Sequence, residues 1–108
     1  RSLQQAGYRV LLADGGARAV QMFAEADPPV DLVLVDMWMP HMDGLTVIRR
    51  LARINPLVRI VAMSGLSEAR EQALESSDTV KRFLLKPWRT PDLLGAVHEV
   101  LTDTVARE

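Results

Sequence analysis

The chain has 108 residues, 48% hydrophobic and 25% charged, with a formal net charge of −1 from 13 basic and 14 acidic side chains; this is the profile of one folded domain with a real core, not of a disordered tail. With no cysteine, disulfides, cysteine-built zinc or iron–sulfur centres and thiol nucleophiles are excluded, and the near-neutral charge argues against a phosphate-tracking nucleic-acid binder. No apolar run approaches the roughly 20 residues of a membrane span and the opening RSLQ lacks a signal-peptide core, so the expectation is a cytoplasmic domain without nucleic-acid or membrane contacts of its own.

In chain order, the residues around Leu3 read as the end of a helix stopped by Gly7. Residues 8–13 (YRVLLA) are short and apolar and run into Asp14-Gly15-Gly16, which predicts a strand and a turn. Over 17–27, Ala17, Val20, Phe23 and Ala24 recur at helical spacing until Pro28-Pro29. Residues 31–36 (DLVLVD) hold four consecutive aliphatic side chains between two acids, the pattern of a central strand covered on both faces. After Met42-Asp43-Gly44 a helix places Leu45, Ile48, Leu51 and Ala52 on one face and Arg49, Arg50 and Arg53 elsewhere, ending at Asn55-Pro56. Residues 58–63 (VRIVAM) predict a strand ending at Ser64-Gly65, 67–76 a helix with a thin apolar stripe, and 80–85 (VKRFLL) a strand closed by Lys86-Pro87. Thr90 caps a last helix with Pro91 at its first position, and Leu93, Leu94, Val97 and Leu101 form its core face through to about Val105.

Alternating strands and helices predict an α/β domain, a doubly wound parallel sheet with right-handed crossovers. In such sheets chemistry gathers beyond the carboxyl ends of the strands. Those ends carry Asp14, Asp36, Ser64 and Lys86. Singly, each has a plain reading as a turn former, helix cap or solvated loop residue. Together, a carboxylate, a hydroxyl and an amine at one sheet edge suit phosphoryl transfer. Asp36 is the candidate nucleophile, Ser64 a hydrogen-bond donor and Lys86 a mobile cation, with a divalent ion such as Mg²⁺ at the carboxylate.

Residues 31–45 (DLVLVDMWMPHMDGL) closely resemble the phosphoacceptor region of response-regulator receiver domains of two-component signalling. IVAMSG at 60–65, RFLLKPW at 82–88 and VLLADGGARAV at 10–20 match in the same order and spacing. The resemblance implies a flavodoxin-like sheet of strand order 2-1-3-4-5 and a phosphorylation switch rather than an enzyme. It implies that Asp36 takes a phosphoryl group from a histidine kinase or histidine phosphotransfer protein, that Ser64 is the switch hydroxyl, and that Lys86 binds the phosphate. It further implies that Phe83 is the switch aromatic, that the backbone carbonyl of Trp38 joins Asp36 in holding Mg²⁺, and that Pro87 follows a cis bond in a rigid turn. A homodimer is compatible with it. The Lys-Pro-Trp and Ala-Met-Ser-Gly runs also resemble receivers of hybrid sensor kinases and multidomain regulators.

One departure stands out. Receivers open on a strand ending in two adjacent acids that hold Mg²⁺, whereas these 108 residues contain no adjacent acidic pair, and Asp14 aligns with a later turn. The resemblance therefore describes residues 1–108 as one receiver, N-terminally incomplete, with strand 1 absent between residues 8–13 and 31–36. The connection Ser77-Asp78-Thr79-Val80 also departs from the usual Gly-Ala. Two rivals follow: a pseudo-receiver or truncated domain acting as a phosphorylation-independent protein-interaction module, and a small doubly wound phosphatase, which lacks a general acid. Of the remaining residues, His41 and His98 read as non-functional, Trp38 as the rim of the site, Trp88 as part of a partner face, and Met37, Met39, Met42 and Met63 as packing.

With Asp36 as the one side-chain ligand, Mg²⁺ binding is expected to be weak. Titrating Mg²⁺ against tryptophan fluorescence should give little quenching in the millimolar range; a normal millimolar response would contradict the expectation.

Overall fold

A computed structural model of the chain describes residues 2–37, 44–64, 79–85 and 88–102. Its elements are α1 (Ser2–Gln5), α2 (Gly16–Glu25), β1 (Val33–Asp36), α3 (Gly44–Ile54), β2 (Ile60–Ser64), β3 (Val80–Leu85) and α4 (Thr90–Thr102). The helix expected over 67–76 lies outside the described residues, as do Trp38, Met39, His41, Met42, Lys86 and Pro87. Among the described residues no helix is long and apolar enough to cross a membrane.

The strands form a parallel sheet in the order β1-β2-β3. Side chains alternate across a strand, so the aliphatic run of β1 feeds two separate cores. Val33 and Val35 face α2 and α3, joining Ile60, Ala62, Val47, Ile48 and Leu51, with Val20 and Phe23 of α2 packed against them. Leu32 and Leu34 face the other way, toward Val61, Leu84, and Ala96 and Val100 of α4. Covering on both faces is what the consecutive aliphatics predicted.

The helix ends follow local chemistry. Gly7 sits at φ +99°; its N–H bonds the Gln4 carbonyl at 3.0 Å while the Tyr8 N–H reaches back to Leu3 at 3.0 Å. This paired closure needs a left-handed residue, which glycine supplies. α2 stops at Glu25, with Ala26 already extended at φ −64°, ψ 134°, and Pro28 disfavours helix at the residue before it. Past α3, the Asn55 side chain accepts the Leu57 N–H at 2.9 Å and its carbonyl accepts the Val58 N–H at 3.0 Å, turning the chain into β2.

Three expectations need correction. Residues 8–13 form no strand. An apolar run becomes a strand only beside another backbone, and among the described residues β1 has its one ladder neighbour in β2; accordingly Leu12 is 86% exposed. In α4 the buried stripe is Ala96, Val97 and Val100, with Leu93 packed on the same cluster. That is an i, i+3, i+4, i+7 face in which the small Ala96 brings the helix close to the sheet; Leu94 and Leu101 are only half-buried. The cap of α4 also lies one residue earlier. Arg89 accepts the first helical bond, from Leu93 at 3.1 Å, and donates its own N–H to the Asp92 carboxylate at 2.9 Å, half of a capping box.

Burial sets the cost of substitution. Leu51 is fully buried, so Leu51→Ala should lose about 2–5 kcal/mol in urea denaturation. Leu12→Ser, on the exposed segment, should stay within about 0.5 kcal/mol of the parent.

Candidate functional site

The site is built by the ladder. β1 and β2 pair from Val33 opposite Ile60 to Asp36 opposite Met63. The ladder continues one residue further, where the Met37 N–H donates to the Met63 carbonyl at 2.8 Å. Asp36 is therefore held between fixed ladder positions at the carboxyl edge, half-buried. Ser64, the last residue of β2, pairs with Leu85, the last of β3. With strands about 4.8 Å apart and a rise of about 3.3 Å per residue, the backbones of Asp36 and Ser64 stand about 6 Å apart. Lys86 follows Leu85 directly in the sequence. The sequence-predicted Asp36 and Ser64 thus meet at one sheet edge, and the chain enters Lys86 from the position opposite Ser64.

Phe83 pairs with Ala62 and packs against the α2–α3 cluster. Simple alternation along β3 would put it on the opposite face from Val80. A register shift between Ile60 and Val61, where Val80 pairs with Ile60 but Arg82 with Val61, gives β3 one extra residue and turns Phe83 onto the same face as Val80. This is the re-aiming effect of a bulge, and no residue type in VKRFLL signalled it.

Asp14 and His98 are exposed. Trp88 packs against the α4-side cluster, as does Met63, while Met37 packs on the α2–α3 side. Arg82 and Glu99 form an exposed ion pair tying β3 to α4, a class of contact worth at most about 1 kcal/mol.

Sequence reading gave Gly44 no role beyond opening a helix. It is buried at the start of α3, and a Cβ built on it would lie 2.5 Å from Sδ, 3.0 Å from Cε and 3.4 Å from Cα of Met37. The two residues flanking segment 38–43 are therefore in contact.

As a cation site, the edge offers one carboxylate among the described residues, that of Asp36, and among those residues no group of three or more His, Asp or Glu gathers to hold a metal. Mg²⁺ commonly takes one or two carboxylates and fills its shell with water and phosphate oxygens. A single carboxylate at this edge fits the lower end of that requirement.

Residues 1–98 match the family model of the response regulator receiver domain. The sensor kinase CckA of Brucella abortus (strain 2308) is 35% identical over 101 residues, 94% of this chain but 11% of that protein; the chain spans about a tenth of this relative's length. The response regulator receiver protein CpdR of the same strain is 31% identical over 94% of this chain and 82% of its own. Among solved structures, the receiver domain of the sensor histidine kinase PA1611 from Pseudomonas aeruginosa PAO1, with a magnesium ion coordinated in its active-site cleft, superposes with a TM-score of 0.79. It is 26% identical, and the match covers 93% of this chain and 82% of that one.

Proposed function

The chain belongs to the response regulator receiver domain family of two-component systems, and on that premise we propose that Asp36 accepts a phosphoryl group from a histidine kinase or a histidine phosphotransfer protein. The observation that carries the proposal is the ladder register: Asp36 opposite Met63 and Ser64 opposite Leu85 align the ends of the strands that lead into all three chemical groups.

The step is a substitution at phosphorus. A carboxylate oxygen of Asp36 forms the new O–P bond as the P–N bond to the donor histidine breaks, and the departing nitrogen keeps the electron pair and takes a proton from water. Such transfers ask a protein mainly for position and charge neutralisation. Ser64 Oγ donates a hydrogen bond to one phosphoryl oxygen, and Lys86 Nζ offsets the charge on another. Mg²⁺, when bound, neutralises charge shared among the phosphoryl oxygens; Asp36 and the Trp38 carbonyl would hold it. The aspartyl phosphate then biases two arrangements of Ser64 and Phe83, so the domain acts as a switch and not as a metabolic enzyme.

The alternative is a protein-interaction module that works without phosphate. Acetyl phosphate and Mg²⁺ followed by intact-mass measurement separates the two. The switch requires a phosphate-sized gain that disappears in Asp36→Asn and forms about tenfold or more slowly in Lys86→Ala. No gain in the folded chain would favour the interaction module.

A further inference from the structure

One side of α3 is fixed in the core by Val47, Ile48 and Leu51. The other exposes Arg49, Arg50 and Arg53, with Ile54 at the helix end and Leu57 just beyond it. Residues 44–58 carry these three arginines and no acid, although the whole chain has a net charge of −1. That concentration works against the helix. Arg49 and Arg53 stand four residues apart and Arg50 and Arg53 three, spacings at which like charges repel, and no carboxylate on α3 offsets them. Only Arg53, in the last turn, gains from the helix dipole. The ion pair found among the described residues, Arg82 with Glu99, joins β3 to α4 and leaves these arginines out. Beside them Ile54 is 44% and Leu57 84% exposed. The turn that carries Leu57 is closed: Asn55 donates its N–H to the Leu51 carbonyl at 2.9 Å and accepts the Val58 N–H at 3.0 Å, while its side chain accepts the Leu57 N–H at 2.9 Å. Leu57 therefore stands at a fixed place in the open, and Val58 after it turns into the core.

We propose that the outer side of α3, together with the turn at residues 55–57, docks an acidic amphipathic helix of a partner protein. Its carboxylates pair with Arg49, Arg50 and Arg53, and its apolar side chains cover Ile54 and Leu57. Charge complementarity selects this occupant. A second copy turning the same face inward would set arginine against arginine. A phosphate backbone would meet the arginines and leave both aliphatic side chains uncovered. A lipid surface asks for more apolar insertion than two side chains supply, since even a whole acyl chain anchors only marginally. Carboxylates, by contrast, match the planar fork of arginine with two parallel hydrogen bonds. A helix lying along α3 presents them at the same intervals of three and four residues. The docking needs no phosphoryl group on Asp36.

The probe is a synthetic helical peptide with glutamates and leucines along one face, titrated into the isotope-labelled full chain and followed by amide chemical shifts. Shifts should concentrate at residues 49–57, and added salt should weaken binding severalfold. The double variant Arg50→Gln/Arg53→Gln should bind about tenfold more weakly, as should the parent chain with a peptide carrying glutamine for glutamate. Leu57→Ser should cost about fivefold. Arg89→Gln, exposed on the α4 side of the sheet, should stay within about twofold of the parent. All four positions are exposed, so the variants should keep the parent's circular dichroism; if the arginine variant unfolds, Leu57→Ser and the glutamine peptide still decide. No shifts at 49–57, an unchanged affinity in the arginine variant, or equal binding of the glutamine peptide overturns the proposal. It is also overturned if the acidic peptide leaves residues 49–57 unmoved and phosphatidylglycerol vesicles, duplex DNA or a higher concentration of the chain itself shifts them, which assigns the face to a lipid, a nucleic acid or a second copy.

Discussion

Four residue pairs between β1 and β2, from Val33 opposite Ile60 to Asp36 opposite Met63, set the height at which the chemistry of this domain stands. A parallel ladder tolerates no fractional slip: a shift of one residue would move Asp36 about 3.3 Å along the sheet and send each aliphatic side chain of β1 to the wrong core. The buried residues enforce the register. Val35, Ile60, Val61 and Ala62 are almost wholly excluded from solvent, so a slipped ladder would expose apolar surface on both faces at once. Burial thus fixes the position of a carboxylate that itself contributes little to the core.

This dependence explains what could be read from the sequence. The covering of β1 on both faces was legible because LVLV is apolar without alternation, but the central place expected for the strand was not found: in the described sheet it is β2 that lies between two neighbours. Asp36 and Ser64 were legible because polar residues that end such runs must sit at the sheet edge. The face of α3 was legible in outline from Ile48 and Leu51, with the arginines at 49, 50 and 53 exposed as their spacing required.

The misreadings share a cause, which is that pairing and close approach leave little trace in residue type. Residues 8–13 have the composition of a strand, but composition cannot supply the neighbouring backbone. In α4 the large Leu94 and Leu101 outweighed the small Ala96 on paper, although a small side chain is what lets a helix lie close on a sheet. The extra residue in β3, which decides the face of Phe83, is a property of the pairing with β2. The contact between Gly44 and Met37 falls in the same class, since the two stand seven positions apart in the chain and touch in space.

The sheet also works as a partition. The two hydrophobic clusters share strands but no side chains: Phe83 and α3 belong to one compartment, Trp88 and α4 to the other. A rearrangement that begins beside Phe83 has no side-chain relay to α4 through the described core. Among the described residues, the links toward α4 are the main chain of β3, the Arg82–Glu99 pair at the surface and the hydrogen bond that Arg59 donates to the Leu101 carbonyl. The described sheet is therefore both the support of the acceptor and a dividing wall between two chambers, so that a movement of the wall itself is felt on both sides.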